Sequence, residues 1–223
     1  MDNTNLTENK DNPLSPHAAL IRRIAHEASN TDTDTTTNPN QSRNPRIVLA
    51  VSGSVATIKL SLIAQGLLAF ADLVIITTQS ARHFFNDTDL PPASLPVLSD
   101  ADEWGSWKAV GDPVVHIELR KWADMMVIAP LSANTLAKMA NGLCDNLVTC
   151  VVRAWDFSKP LLVAPAMNTY MWESAFTARH IESIEKLGVR VVGPVSKKLA
   201  CGDVGVGGMA SAEAIVEAVE ALI

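Results

Sequence analysis

The sequence predicts a doubly wound α/β domain of three layers, a parallel sheet with helices on both faces. Two observations carry that prediction. The first is a set of short, continuous apolar runs rich in β-branched residues, typified by Ile47-Val48-Leu49-Ala50-Val51. Such runs lack the alternation of a half-exposed strand and belong to sheets buried on both faces. The second is that a helical pattern follows nearly every run, which supplies the crossovers that parallel strands need.

Taken in order, Arg46 to Val51 reads as the first strand, and Ser52-Gly53-Ser54-Val55-Ala56 turns into a helix reaching about Ala69. Asp72 to Thr77 is the second strand, and Thr78-Gln79-Ser80-Ala81 opens a short helix. Leu90 to Pro113, rich in Pro, Asp and Trp, is a long connection with room for a short strand near Val97. A short helix ends at Trp122, and Asp124 to Ala129 is the next strand. Ser132-Ala133-Asn134-Thr135 caps a helix that stops at Asn141-Gly142, and a second helix covers about Asn146 to Ala154. Leu161 to Ala164 is a strand, Trp172 to Leu187 contains a helix, and Val189 to Val192 is the last core strand. Ser211 to Ile223 closes the chain as an amphipathic helix. This order suits a flavodoxin-like, Rossmann-type sheet.

The domain so defined covers residues 46–223, and residues 1–45 read as a disordered or weakly helical tail. Thr31 to Asn40 is polar without an apolar period. Ser15 to Ala25 suits a short helix, with Ser15 as cap and Pro16 in the first turn.

Composition narrows the function. The net charge is −6, and no Lys/Arg run stands out, which argues against a nucleic-acid partner. The apolar runs are too short to span a bilayer, and the first residues lack a signal-peptide core, so a cytoplasmic protein is expected. The three cysteines, Cys144, Cys150 and Cys201, form no Cys-x-x-Cys pair and have no His at ligand spacing. No metal site is expected, and a reducing compartment fits. Cys144 and Cys150 lie on helical patterns and read as core.

Three loops leave strand ends in the same sense: Ser52-Gly53-Ser54-Val55, Thr78-Gln79-Ser80, and Leu131-Ser132-Ala133-Asn134-Thr135. Small hydroxyl residues at helix starts bind phosphate through free amides and a partial positive charge, though Ser and Thr are also ordinary caps. The G-x-G-x-x-G fingerprint is missing, so a mononucleotide fits better than a dinucleotide.

A fourth strand end carries Pro165-Ala166-Met167-Asn168-Thr169-Tyr170-Met171-Trp172. The Asn168 amide offers a donor and an acceptor to a carboxylate, and it equally suits a helix cap. His116, in Val115-His116-Ile117-Glu118-Leu119, is either an acid–base residue or a structural histidine among apolar neighbours. Lys197 to Met209 is a glycine-rich segment holding Cys201. It reads as a lid with a reactive thiol beside two lysines, or as a plain surface loop. Trp155, Tyr170 and Trp172 suit either the core or a subunit interface.

Pro-x-Met-Asn-x-x-Met-Trp at 165–172 has His-Ile-Glu-Leu upstream and Leu-Ala-Cys-Gly-Asp downstream. With this order, the stretch from about Arg46 to Met209 resembles the homo-oligomeric flavin-containing cysteine decarboxylases. The resemblance implies FMN, held by Gly53, Ser54, Val55, Thr78, Ser80, Ser132, Ala133, Asn134, Thr135, Ala166 and Met167. It implies His116 and Cys201 as catalytic residues, the first a base or proton relay and the second the proton donor to an enethiolate. Asn168 would hold the substrate carboxylate, and Lys198, Ala200 and Met209 would line the site under a closing flap. Lys198 stands where an Arg would also serve, and gives a point charge in place of a fork.

The implied substrate is a small molecule, phosphopantothenoylcysteine of coenzyme A synthesis. Its thiol carbon would be oxidised to a thioaldehyde, its carboxylate lost as carbon dioxide, and the resulting enethiol reduced. The resemblance further implies a trimer with sites between subunits, His116 of one chain meeting the flavin of another. Two other readings stand beside this one. One is a non-catalytic, phosphatase-inhibiting flavoprotein subunit, and the other an enzyme that decarboxylates a peptide's terminal cysteine. The presence of His116, Asn168 and Cys201 together favours an active enzyme, and the flap favours the small substrate.

Overall fold

The apolar runs form the central sheet. In the computed structural model, which describes residues 14–31, 43–198 and 204–223, the strands are β1 (Arg46–Val51), β2 (Asp72–Thr77), β3 (Met125–Leu131), β4 (Leu161–Pro165) and β5 (Arg190–Val191). All are parallel, in the order β2-β1-β3-β4-β5. This is the flavodoxin-like order, which reverses direction between β1 and β3 and opens a crevice beyond their carboxyl ends.

The helices are α1 (Pro16–Thr31), α2 (Leu60–Leu68), α3 (Asp100–Ser106), α4 (Val115–Trp122), α5 (Ala133–Asn141), α6 (Leu147–Arg153), α7 (Thr169–Trp172), α8 (Ala175–Glu185) and α9 (Ala212–Glu220). Successive strand residues point to opposite faces. Val48, Ala50, Met126 and Ile128 pack under α1, α4, α5, α6 and α8. Ile47, Leu49, Val51, Met125 and Val127 pack under α2 and α9. Both faces are therefore dry, which is why the strands show no polar alternation.

Three elements differ from the sequence reading. The first is α1: the expected short helix with its Ser15 cap is present, but it runs to Thr31 and packs on the sheet layer instead of lying apart as a tail. Leu20, Ile21, Ile24 and Ala28 are buried on one stripe that packs with α4. Ser15 caps it, its Oγ accepting from the Ala18 amide at 3.2 Å. Glu27 accepts from the Trp122 indole at 2.7 Å and pairs with Arg46 at 3.2 Å. The polar run 32–42 lies outside the described residues.

The second is the long connection, which contains α3. Its start is fixed by Asp102, which accepts from the Ser99 amide at 2.8 Å and hydroxyl at 2.7 Å. The expected strand near Val97 is a single parallel bridge from Leu98 to Ile76.

The third is a hairpin of β6 (Val195–Lys198) and β7 (Val204–Gly208), antiparallel to each other, where the sequence suggested a lid or a surface loop without strands. It lies against the strand-end segment after β4, since the Met167 amide donates to Gly207 O at 2.9 Å. Gly207 has φ +149°, and a Cβ there would lie 2.4 Å from Met167 O. Close approach, not looseness, requires that glycine.

Candidate active site

Parallel strands deliver their carboxyl ends to one edge, and there the loops after β1, β2, β3 and β4 meet. Ser52, buried at the end of β1, ties two of them together. Its hydroxyl donates to Pro130 O at 2.9 Å and accepts from the Ser132 amide at 2.8 Å. Ser54 caps the helical turn at 55–59, its Oγ accepting from the Ala56 amide at 3.3 Å. Ser132 caps α5 by accepting from the Thr135 amide at 3.2 Å. Gly53 lets the first two loops touch, since a Cβ there would lie 2.4 Å from Ser80 Oγ and 2.7 Å from Ser80 Cβ.

A cleft of about 350 Å³ opens between these loops, lined by Gly53, Ser54, Ser80, Ser132, Ala133, Asn134, Ala166, Met167 and Met171. All but Met171 are among the residues the resemblance assigned to the flavin. Three others assigned to it are not among the lining residues. Thr78 is buried, and its Oγ1 lies 3.2 Å from Ser80 Oγ. Thr135 is buried and accepts from Ser132 Oγ at 3.2 Å. Val55 opens the turn after Ser54 and is largely exposed. Met171 was missed because its signal, an apolar residue one helical turn past Met167, is shared by ordinary core.

The lining suits FMN. The hydroxyls and capped helix starts match a phosphate, and the Ala166, Met167 and Met171 side chains match an apolar ring. Among the described residues, the lining holds no carboxylate to repel an anion. The crevice sits at the β1/β3 reversal, where flavodoxin-like sheets hold FMN.

Asn168 fulfils the cap reading: its Oδ1 accepts from the Tyr170 amide at 2.8 Å and starts α7. It also stands directly after the cleft residue Met167, at the foot of the hairpin. Tyr170 and Met171 beside it are exposed, Trp172 packs partly against the core, and Trp155 is buried. Met209 is buried in the layer under α2 and α9. Lys198 ends β6. Ala200 and Cys201 lie outside the described residues.

His116 takes a different place. It sits in the first turn of α4, between buried Val115 and the helix body, and is not among the cleft residues. Its Nδ1 makes a short hydrogen bond to the carboxylate of Glu103, on α3. Cys150 of α6 completes the group, and the ligand-type atoms of all three lie within 4.8 Å of one another. The sequence spacing shows no such group, because three separate helices supply it. Burial pushes the Cys150 thiol up to about 11, with the negative charge of Glu103 adding to the effect. Its Sγ donates to Cys144 O at 3.3 Å. Neither cysteine is core as expected: Cys144 is exposed and Cys150 half-buried. For Cys144 the reason is Gly142, which ends α5 at φ +69° and leaves the residues up to α6 as loop, whereas Cys150 does lie on a helix, α6.

Among known proteins, the chain is 57% identical over 171 residues to "Phosphopantothenoylcysteine decarboxylase" of Oryza sativa subsp. japonica, covering 77% of each chain. It is similar in structure to a cysteine-to-serine mutant of PPC decarboxylase complexed with pantothenoylaminoethenethiol. The TM-score is 0.79 at 51% identity, covering 80% of this chain and 98% of that one. A second similar structure is the FMN binding protein AtHal3, with a TM-score of 0.76 at 52% identity, covering 80% of this chain and 96% of that one. The model of the Flavoprotein family matches residues 35–223, and the chain belongs to that family.

Proposed function

We propose that this protein is an FMN-dependent carboxy-lyase that converts phosphopantothenoylcysteine to phosphopantetheine in coenzyme A synthesis. The observation that carries the reading is the cleft at the β1/β3 reversal, floored by hydroxyls and walled by Ala166 and Met167. It is supported by the likeness to the solved PPC decarboxylase complexed with pantothenoylaminoethenethiol, 51% identical to this chain.

Loss of carbon dioxide from an ordinary cysteine carboxylate leaves an electron pair with no acceptor. FMN, when bound, supplies reversible two-electron oxidation and reduction, so that pair finds a sink. The chain's own residues do the rest. Ser54, Ser80 and Ser132, with the amides at two helix starts, hold the phosphate of the cofactor. Ala166, Met167 and Met171 pack against its ring. Asn168 orients the substrate carboxylate beside Met167. His116 takes a proton at its imidazole, and Cys201 returns one to the enethiolate. The hairpin, with Lys198, Ala200 and Met209, excludes water while this happens.

The active form is a homo-oligomer, a trimer with sites shared between subunits. The support is that His116 is not among the cleft residues of its own chain, while Tyr170 and Met171 stand exposed beside that cleft. The protein acts in the cytoplasm; no helix of the described residues is long and apolar enough to cross a membrane.

The test is carbon dioxide release from phosphopantothenoylcysteine by the purified protein, with its absorbance spectrum recorded alongside. Release together with a flavin spectrum is expected. A yellow protein that releases nothing would overturn the assignment and favour a peptide substrate or a regulatory flavoprotein.

A further inference from the structure

Glu103 is an acid in an unusual place. It lies on α3 with only 9% of its surface exposed, although charged side chains are almost never so buried without a partner. Its partner is Nδ1 of His116. An ionised carboxylate has only lone pairs to offer, so the ring nitrogen facing it carries the proton. The other nitrogen, Nε2, then keeps its lone pair.

The arrangement is held from several sides. Ser106 Oγ donates to Glu103 O at 2.9 Å, next to the acid itself. Asp100 Oδ1 accepts from the Leu147 amide at 2.7 Å, fastening α3 to the start of α6. The α6 residue Cys150 is the third member of the group and stays a neutral thiol, so it adds no charge to compete for the ring proton. Burial of Val115, Leu119 and Trp122 fixes the helix that carries His116.

We propose that Glu103 is the positioning residue of the decarboxylase site, fixing His116 as the Nδ1–H tautomer so that Nε2 is the proton-accepting atom. This rests on the reading of His116 as the base. When Nε2 takes a proton the ring becomes a cation, and the carboxylate of Glu103 remains ionised and balances it. Glu103 acts through the ring and does not touch substrate.

The experiment uses the FMN-loaded full chain with ¹⁵N-labelled histidine side chains. Ring-nitrogen shifts, assigned by loss of the signal in His116→Asn, report the tautomer without any turnover. In the unmodified protein the Nδ1–H tautomer is expected at neutral pH. Glu103→Ala is expected to lose it and to lower kcat by about 10- to 100-fold, part of the roughly 10²–10⁴ that a positioned base supplies. KM should stay within about twofold and the flavin spectrum unchanged, since the residue acts through His116 and not on binding. Glu103→Gln keeps an acceptor for Nδ1–H at nearly equal volume, so it should retain the tautomer, lack the countercharge and fall between the two in kcat. It also guards against misfolding of the alanine variant. An Nε2–H tautomer in the unmodified protein, or an unchanged tautomer and kcat in Glu103→Ala, would overturn the proposal. Absence of carbon dioxide release by the unmodified protein would instead overturn the functional reading, and the tautomer would still report on Glu103.

Discussion

The strand-end cleft and the Glu103–His116–Cys150 group are built by opposite means. The cleft is made of short strand-end segments and the helix starts that follow them, with mostly small residues, and its donors are backbone amides and hydroxyls that also cap helices. The group is made of three side chains from α3, α4 and α6, brought together only by packing. Binding is therefore spread over many modest contacts, while acid–base chemistry rests on one ring and its partner. The two should fail separately and to different extents, and four changes probe that separation.

The largest effect is expected at His116. His116→Asn removes the acid–base nitrogen pair and should lower kcat by roughly 10²–10⁴-fold. Flavin content, read from absorbance, should not change, because His116 is not among the cleft residues. A parallel loss of flavin would show that His116 also helps to hold the cofactor, within its chain or across a subunit boundary, and would break the comparison.

The next effect tests what holds the His116 side in place. Ile24 of α1 is 1% exposed, in the cluster that also holds Val115, Leu119 and Trp122 of α4. Ile24→Ala should cost about 2–5 kcal/mol of stability in urea unfolding, as large-to-small changes in a core do. Activity measured below the transition should fall before FMN affinity does. An unchanged urea midpoint would show that α1 adds nothing to the stability of the domain.

That helix also shows where sequence reading stops. The strands were legible because a strand buried on both faces must be continuously apolar, and the cleft because cap residues announce helix starts locally. The order of the sheet and eight of the cleft residues, Gly53, Ser54, Ser80, Ser132, Ala133, Asn134, Ala166 and Met167, follow from such local signals together with the family resemblance. α1 was read as tail because its stripe of Leu20, Ile21, Ile24 and Ala28 is short and flanked by polar sequence. Its worth appears only against Trp122 and Arg46, far along the chain. The role of Glu103 was illegible for the same reason. In Asp100-Ala101-Asp102-Glu103 it is one acid among three, and only α4 distinguishes it. Of the glycines after Lys198, Gly207 answers to a close approach to Met167, a requirement that composition cannot separate from flexibility.

A smaller effect is expected in the cleft. Gly53→Val places a Cβ 2.4 Å from Ser80 Oγ and must push the first two loops apart. FMN affinity should fall by at least about tenfold, or roughly 1.4 kcal/mol, measured by fluorescence titration of the flavin-free protein. The tautomer of His116 should not respond. If affinity is unchanged, the hydroxyl loops are caps and nothing more, and the cofactor reading of the cleft loses its main support.

The smallest effect concerns the thiols. Cys144 is exposed, whereas the Cys150 thiol is pushed up to about 11, chiefly by burial and then by the charge of Glu103. In a Cys201→Ser background, a maleimide at pH 8 should label Cys144 first, and Cys150 should follow only as the pH approaches its raised value. The sign of the linkage is fixed. A thiol with a raised pKa in the fold favours the folded state below the ordinary thiol pKa, and that contribution is lost as pH rises through the raised value. Glu103→Gln removes the nearby negative charge and should make Cys150 react at lower pH. If the labelling rate of Cys150 is indifferent to that substitution, the carboxylate does not act on the thiol. The group would then reduce to the Glu103–His116 pair alone, with Cys150 as filling between helices.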